Sequence, residues 1–154
     1  PIVRGEEPKM ETETKKILGQ VTPAGVEPHP VVVSASTTRV PVINGHTELV
    51  SVSLDTDPGQ DALVAAMREF SGRPQEAGLP SAPPHPIVYM DEDDRPQPRL
   101  DADRDRGMAV CVGRLRPCPV LGYKFVTMGH NTVRGAAGAA VLNAELMKVD
   151  GVLD

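Results

Sequence analysis

The chain has 154 residues, a formal net charge of −5 at pH 7 and 3% aromatic residues. This length predicts one domain with a substantial core, and the scarcity of basic stripes and aromatic rings argues against nucleic-acid binding, which needs phosphate neutralisation or base stacking. No apolar run approaches the roughly 20 residues of a membrane span, so no membrane partner is expected.

The first third of the chain predicts one helix followed by extended segments. Residues 6 to 18 predict a helix, because acidic residues lie at its start and lysines at its end, which suits the helix dipole, and Gly19 follows as a stop. The alternation of apolar and polar residues over 47 to 55 is typical of a half-buried strand. The remaining predicted ranges are a loop at 20–30 and a strand at 31–37 that continues, after a break, into 39–44.

The rest of the chain predicts two helices and three strands. Asp57 is the candidate cap of the first of these helices, Pro58 its first residue and Gly72 its stop. We expect the highly charged residues 91 to 107 to form a solvated surface loop. The predicted ranges are a helix at 57–72, a loop at 73–86, strands at 87–90, 108–117 and 120–129, and a C-terminal helix from Asn131 or Thr132. This order predicts an α+β fold, with helices on one face of a largely antiparallel sheet.

The C-terminal helix has an unusual composition. Residues 135 to 140 are all glycine or alanine, and a glycine within a helix costs about 1 kcal/mol relative to alanine. Two glycines here therefore indicate close approach to another element or to a ligand. Because the helix is apolar around much of its circumference, we also expect it to pack on a further domain.

The two cysteines, Cys111 and Cys118, are seven residues apart, which matches no common zinc pattern, and no metal is expected. Cys111 lies between two valines and is predicted to be a buried thiol, whereas Cys118 lies between two prolines in a turn. Reduced cysteines are the expectation, although the spacing leaves a disulfide open. With no charged-then-apolar leader, the prediction is a cytoplasmic protein. The start at Pro1 is expected to reflect processing, or a domain or fragment of a longer protein.

Three patches concentrate reactive side chains. The first is Glu6-Glu7-x-Lys9, the second is Arg39 with His46, and the third runs from His130-Asn131 to Gly135-Ala136. An arginine can bind a carboxylate through two parallel hydrogen bonds, a lysine can bind phosphate, and a histidine can transfer protons near neutral pH. From the residues alone, the ordinary structural interpretations are favoured: a solvated helix start for Glu6, Glu7 and Lys9, a strand-end ion pair for Arg39 and a turn histidine for His46.

Three stretches together are specific: KxxxETKKILG, then RVPVxxGHTE, then GRLRxxxxLGYKFVxxGHNTVRGAAGAAVLNAEL. In this combination the chain closely resembles the C-terminal part of the aspartate-β-semialdehyde dehydrogenase family, nearest to its archaeal and fungal branch. The resemblance covers nearly all of the chain except residues 73 to 106. It implies a glyceraldehyde-3-phosphate dehydrogenase-like C-terminal domain closed by a C-terminal helix. Residues 1–128 would bind substrate and dimerise, and residues 129–154 would pack on a dinucleotide-binding domain.

The resemblance also implies roles for individual residues. Such enzymes reduce L-aspartyl-4-phosphate to L-aspartate 4-semialdehyde with NADPH and release phosphate. The family's acid/base histidine falls on His46 and its carboxylate-binding arginine on Arg39. Its E-x-x-K glutamate and lysine, which contact the substrate amine and phosphate, fall on Glu6 and Lys9. The cofactor-facing positions are Asn131, Gly135 and Ala136. Pro8 stands where many relatives carry another glutamate.

Two features of the family are not found in this sequence: its Gly-rich dinucleotide loop and its nucleophilic cysteine. The chain is therefore expected to be a fragment of the enzyme, bound to copies of itself as a homodimer or homotetramer. Two alternatives stay open. One is a non-catalytic oligomerisation module, and the other is the related N-acetylglutamyl-phosphate reductase, against which the E-x-x-K and RVPVxxGHTE motifs argue.

Overall fold

A computed structural model describes residues 3–153 and confirms the α+β class. The chain divides into two compact units, with the boundary between Pro41 and Val42. None of the helices described in residues 3–153 is long and apolar enough to cross a membrane. The elements are α1 (Glu6–Ile17), β1 (Gln20–Thr22), β2 (Gly25–Glu27), β3 (His46–Val52), α2 (Gln60–Glu69), α3 (Arg73–Glu76), β4 (Ile87–Met90), α4 (Pro98–Asp101), α5 (Arg104–Gly107), β5 (Val110–Pro117), β6 (Tyr123–Gly129), a π-helical turn (Val133–Ala137) and α6 (Gly138–Val149).

The first unit contains α1, a small hairpin and the segment that leads to Arg39. Helix α1 lies where the sequence predicts it, whereas the predicted loop at 20–30 contains the antiparallel hairpin β1–β2. The predicted strand at 31–37, with its continuation at 39–44, is wrong. Side-chain burial along 31–37 alternates as in a strand, but no described strand pairs with it. Carboxylates of α1 accept hydrogen bonds from backbone N–H groups of this segment instead.

The second unit contains a four-stranded sheet in the order β3-β6-β5-β4. Strand β6 pairs antiparallel with both β3 and β5, and β4 pairs parallel with β5, so the prediction of a largely antiparallel sheet is confirmed. The register sets His46 opposite Gly129 at one end of β3 and Val52 opposite Tyr123 at the other. This register decides which polar groups the sheet brings together.

The buried side chains of the second unit form two clusters. One cluster packs Met90, Cys111 and Met128 of the sheet against Ala102, and the other comprises Leu79, Met108 and Leu142. The second cluster explains one of the two glycines near the start of the C-terminal helix. A Cβ on Gly138 would overlap the sulfur of Met108, so even alanine is too large and glycine is needed for this close packing.

The expectation of a solvated loop at 91–107 agrees with the exposed residues 91–94 and is wrong for the rest of the segment. This segment contains α4 and the irregular turn α5, and the side chain of Asp101 is fully buried. The Asp101 carboxylate accepts hydrogen bonds from the Arg95 guanidinium and from the Gln97 backbone N–H at 2.7 Å. High charge predicted solvation here, but a carboxylate with these partners can be buried because its hydrogen bonds and countercharge offset desolvation.

Candidate functional site

Two hydrogen bonds hold the predicted substrate-binding residues of the first unit in one region. The Glu7 carboxylate accepts the backbone N–H of Thr37 at 2.7 Å, and that of Glu11 accepts the N–H of Ala35 at 2.9 Å. The chain from 35 to 37 therefore lies along the first turns of α1. Arg39 follows Thr37 by two residues, a reach of at most about 7 Å.

Glu6 and Lys9 occupy that same end of α1. Glu6 is the first residue of the helix and is half-buried, whereas Lys9 is exposed and lies 3.6 Å from the carboxylate of Glu13. Such an exposed pair contributes little stability, so the Lys9 ammonium can exchange Glu13 for a ligand at small cost. Arg39 is exposed and makes no ion pair with any residue in 3–153.

The sequence did not reveal the part played by Glu7, which the residues alone grouped with a solvated helix start. Its contact with Thr37 links α1 to the segment that carries Arg39. The hydroxyl of Thr37 is buried and has no hydrogen-bond partner among the described residues. A buried hydroxyl without a hydrogen-bond partner is uncommon, and a polar atom of a bound ligand could supply the missing partner. Glu7 carried no sequence signal beyond its place within the E-x-x-K motif, and Thr37 carried none.

In the second unit, His46 begins β3 and is exposed. Because His46 pairs with Gly129, it lies at the end of β6 that leads directly into His130 and Asn131. The side-chain oxygen of Asn131 accepts the backbone N–H of Gly45 at 3.1 Å. The structure thus brings the predicted acid/base residue and one of the predicted cofactor-facing residues to the same end of the sheet.

Gly45 is the backbone element of this corner. It is buried and has a φ of 109°, a conformation that L side chains rarely adopt. A Cβ at this position would lie 3.0 Å from the sulfur of Met128 and 3.1 Å from the Cβ of Pro98. Only glycine allows the chain to turn into β3 here, which gives a physical reason for the GH pair in the sequence.

His130 supplies the cap of the turn that follows β6. Its Nδ1 accepts the backbone N–H groups of Thr132 and Val133, each at 3.2 Å, so the ring proton is assigned to Nε2. The ring is buried, and Nε2 lies 3.6 Å from the exposed carboxylate of Asp103. The imidazole therefore satisfies two donors at the start of the π-helical turn, a task that N-cap side chains commonly perform.

The other two predicted cofactor-facing residues, Gly135 and Ala136, lie within that π-helical turn. Both are exposed, and the N–H of Gly135 donates to the His130 carbonyl at 2.9 Å. π-Helical turns often occur at functional sites. Small side chains here leave the backbone open to an approaching group.

Neither cysteine has the environment of the family nucleophile. Cys111 is fully buried, and burial raises the pKa of its thiol to about 11, so it is not a reactive thiolate at neutral pH. The backbone N–H groups of Leu121 and Val120 lower the pKa of the Cys118 thiol. However, Cys118 contacts Ser51, which lies five residues along β3 from His46. Five strand residues span about 17 Å, so the Cys118 thiol is distant from the predicted acid/base residue. Both cysteines are free, as expected.

A groove of about 640 Å³ lies elsewhere in the second unit, between α2 and β4. Arg68 of α2 pairs with Asp91 at 2.5 Å in this groove and lies over the ring of Tyr89. None of the sequence-predicted site residues lines the groove. Within residues 3–153, no group of three or more His, Cys, Asp or Glu side chains is arranged to hold a metal ion.

The fold and these residues place the chain in a known class. It belongs to the semialdehyde dehydrogenase dimerisation domain family, whose model matches residues 1–134. The chain is 52% identical over 149 residues to an aspartate-semialdehyde dehydrogenase from Methanothermobacter thermautotrophicus, and 44% identical over 160 residues to that from Candida albicans. These alignments cover 96% and 99% of the chain.

The similarity extends to a solved structure. The crystal structure of aspartate-semialdehyde dehydrogenase with NADP from Candida albicans matches 99% of this chain with a TM-score of 0.90 and 42% identity. The chain spans only 45% of that protein, and 43% and 44% of the two relatives. The fold and family are thus shared over nearly the whole chain, which corresponds to less than half of each relative.

Proposed function

We propose that this chain is the substrate-binding and dimerisation part of an aspartate-semialdehyde dehydrogenase. The complete enzyme would reductively dephosphorylate L-aspartyl-4-phosphate to L-aspartate 4-semialdehyde with NADPH. This is a step of aspartate-family amino-acid biosynthesis, which yields lysine, methionine and threonine. The observation that carries the proposal is the corner where Asn131 accepts the N–H of Gly45, directly before His46. A proton-transfer residue and a small-residue helix start at one sheet end suit a reaction that joins substrate and cofactor.

The first unit supplies the groups that bind substrate. Arg39 binds the α-carboxylate through its planar fork, Glu6 binds the amine, and Lys9 binds the phosphate as a point charge. The hydrogen bond between Glu7 and Thr37 supports this assignment, because it holds the Arg39 segment beside the end of α1 that carries the other two groups. The three side chains match the three charged groups of an aspartyl phosphate.

His46 is the acid/base residue. As the thiohemiacetal collapses to the aldehyde, the imidazole takes the proton of its hydroxyl group and gives a proton to the departing sulfur; in the reverse direction it takes the proton of the attacking thiol and returns one to the carbonyl oxygen. The attacking thiolate comes from the part of the enzyme that this chain does not span, because neither Cys111 nor Cys118 lies in a suitable environment. Such a cysteine forms the covalent intermediate that divides the reaction into two easier steps.

NADPH, when bound, supplies hydride to the substrate. The residues of this chain fit its reactive end, because Gly135 and Ala136 are exposed and small and Asn131 comes just before the turn that contains them. The remaining contacts come from a dinucleotide-binding domain, on which residues 129–154 pack. The apolar side chains that α6 exposes, including Val141 at 52% and Val149 at 55%, support such a contact. The choice between NADP and NAD rests with that domain.

The enzyme is expected to be cytoplasmic and to assemble as a homodimer or homotetramer, without nucleic-acid or membrane partners. The family's dimerisation domain supports association with a second copy. Light scattering of the purified 154-residue chain should therefore give at least the mass of a dimer. A monomer at micromolar concentration would show that association needs other parts of the enzyme, and it would count against the alternative of an independent oligomerisation module.

The direct test is activity of the complete protein. Purified enzyme should reduce NADP with aspartate semialdehyde in phosphate buffer, and the 154-residue chain alone should not. N-acetylglutamate semialdehyde serves as the competing substrate. Preference for that compound would replace the proposal with an N-acetylglutamyl-phosphate reductase, and turnover by the 154-residue chain that depends on Cys118 would disprove the placement of the nucleophile elsewhere.

Replacing Arg39 by lysine tests the carboxylate contact. Arg39→Lys keeps the positive charge but loses the two parallel hydrogen bonds, which are each worth about 1.5–3 kcal/mol when charge-assisted. We expect the KM for aspartate semialdehyde to rise by about tenfold or more, with a smaller fall in kcat from misplacement. Arg4→Lys, at an exposed arginine of the same unit, is the matched control. An unchanged KM in Arg39→Lys would remove this residue from the substrate site.

A further inference from the structure

The hydrogen bond between Asn131 and Gly45 constrains which part of the Asn131 side chain can face a ligand. A backbone N–H can only donate, so the side-chain atom at 3.1 Å from the Gly45 nitrogen must be the carbonyl oxygen Oδ1. The amide nitrogen makes no hydrogen bond with any residue in 3–153. One half of the side chain is thus used inside the protein, and the other half is left for a ligand.

The turn that carries Asn131 is held on both sides. Before it, Gly129 pairs with His46 in the sheet. After it, the buried His130 imidazole accepts the N–H groups of Thr132 and Val133 at 3.2 Å. Gly107 packs against the ring so closely that a Cβ there would lie 3.2 Å from its Cδ2. The ring and the backbone around Asn131 therefore have little freedom, and its side chain is aimed at Gly45.

Gly45 transmits this constraint to His46. Gly45 is buried between Met128 and Pro98 and has a φ of 109°, outside the range of a regular strand. Its backbone is therefore held by these local contacts and not by strand hydrogen bonding. Its N–H is a buried donor, and Asn131 is the partner that satisfies it. Leaving such a donor unpaired costs about 1–3 kcal/mol, so the backbone would shift to find another acceptor. His46 is the next residue, and its ring would shift with it.

From these contacts we infer that Asn131 is a positioning residue for His46, in addition to its proposed contact with the cofactor. The inference rests on the proposed function for its catalytic consequence. The Oδ1 of Asn131 holds the backbone of Gly45, and this backbone sets the position of the His46 imidazole at the start of β3. Asn131 thereby couples the helix start that would face the cofactor to the group that transfers the proton.

Two substitutions separate the roles of the two halves of the side chain. Asn131→Ala removes both the oxygen and the amide nitrogen, whereas Asn131→Asp keeps the acceptor and removes the donor. Amide hydrogen exchange at Gly45 reports the hydrogen bond directly and does not depend on activity. We expect exchange at Gly45 to become about 3- to 10-fold faster in Asn131→Ala, the loss expected for one hydrogen bond, and to stay at the wild-type rate in Asn131→Asp.

Kinetics of the complete enzyme test the consequence for His46. In Asn131→Ala, kcat should fall by about 10- to 100-fold, because misplacement of a catalytic group by about 1 Å has an effect of this size. The KM for aspartate semialdehyde should change little, because Arg39 and Lys9 are untouched. Asn131→Asp should recover most of the lost kcat at saturating NADP, while the KM for NADP stays raised in both variants.

The possible outcomes are distinct. Unchanged exchange at Gly45 in Asn131→Ala, or equally fast exchange in both variants, would overturn the inference. So would a loss of kcat that Asn131→Asp does not rescue, because the oxygen would then have no positioning role. A wild-type enzyme without NADP-dependent turnover would disprove the proposed function instead, and exchange at Gly45 would still decide whether the hydrogen bond holds this corner.

Discussion

Replacing His46 by glutamine in the complete enzyme should lower kcat by about 10²- to 10⁴-fold, the range for loss of a general acid or base. Glutamine is similar in size and can form hydrogen bonds, but it cannot transfer a proton at neutral pH. The side chain is exposed at the start of β3 and contributes no described hydrogen bond, so the fold should be unaffected. The KM for aspartate semialdehyde should change much less than kcat, because the carboxylate, amine and phosphate contacts come from Arg39, Glu6 and Lys9.

The pH dependence of the rate distinguishes proton transfer from a merely structural role. A histidine acid/base gives kcat/KM a limb near neutral pH, and this limb should disappear in His46→Gln. Cys118→Ser is the matched control, since Cys118 lies in the turn between β5 and β6, beside Ser51 and away from His46 at the start of β3, and its thiolate takes no part in the proposed reaction. A neutral-pH limb that persists in His46→Gln would assign the proton transfer to another residue.

The sequence predicts the positions of helices and strands better than it predicts which segments contact one another. Helix α1 and strand β4 lie where composition and periodicity place them, because local propensity and end signals decide both. Segment 31–37 shows the limit. Its alternating pattern is real, as its burial shows, but a strand also needs a partner, and here side chains of Glu7 and Glu11 take the N–H groups. Pattern alone does not reveal which acceptor is available.

The candidate site shows the same limit at longer range. Residue type and spacing singled out His46 and Asn131 separately, yet their proximity depends on the register of β3 against β6. That register joins residues more than 80 positions apart, and no local pattern determines it. The roles of Gly45 and His130 follow from the same pairing, since one is the donor and the other the cap of the turn that the register brings together. The family resemblance supplied the roles of His46 and Asn131 without this geometry.

The buried ion pair between Asp101 and Arg95, in the charged segment 91–107, should contribute strongly to stability. Asp101→Asn should lower the free energy of unfolding by about 3–5 kcal/mol, because it leaves the Arg95 guanidinium without its buried partner. Urea denaturation of the purified chain measures this loss. Asp91→Asn, which breaks the exposed pair with Arg68, is the control and should cost no more than about 1 kcal/mol. An equal loss in free energy of unfolding in the two variants would show that the buried pair stabilises the fold no more than the exposed pair.

The pH dependence of that difference has a definite sign. Burial of Asp101 raises its pKa, but the hydrogen bonds from Arg95 and Gln97, with the charges of Arg95 and Arg104, outweigh it and hold the pKa below its usual value. An aspartate with a lowered pKa contributes stability that is fully present above its unfolded pKa of about 3.9 and is lost as pH falls through the lower folded value. The difference in free energy of unfolding between wild type and Asp101→Asn should therefore be constant between about pH 5 and 8 and shrink below about pH 4.

The same variant should also affect catalysis, because Pro98 of this segment packs against Gly45. Loss of the Asp101 contacts should disturb the backbone that holds His46, so kcat of the complete enzyme should fall while the KM for aspartate semialdehyde stays nearly unchanged.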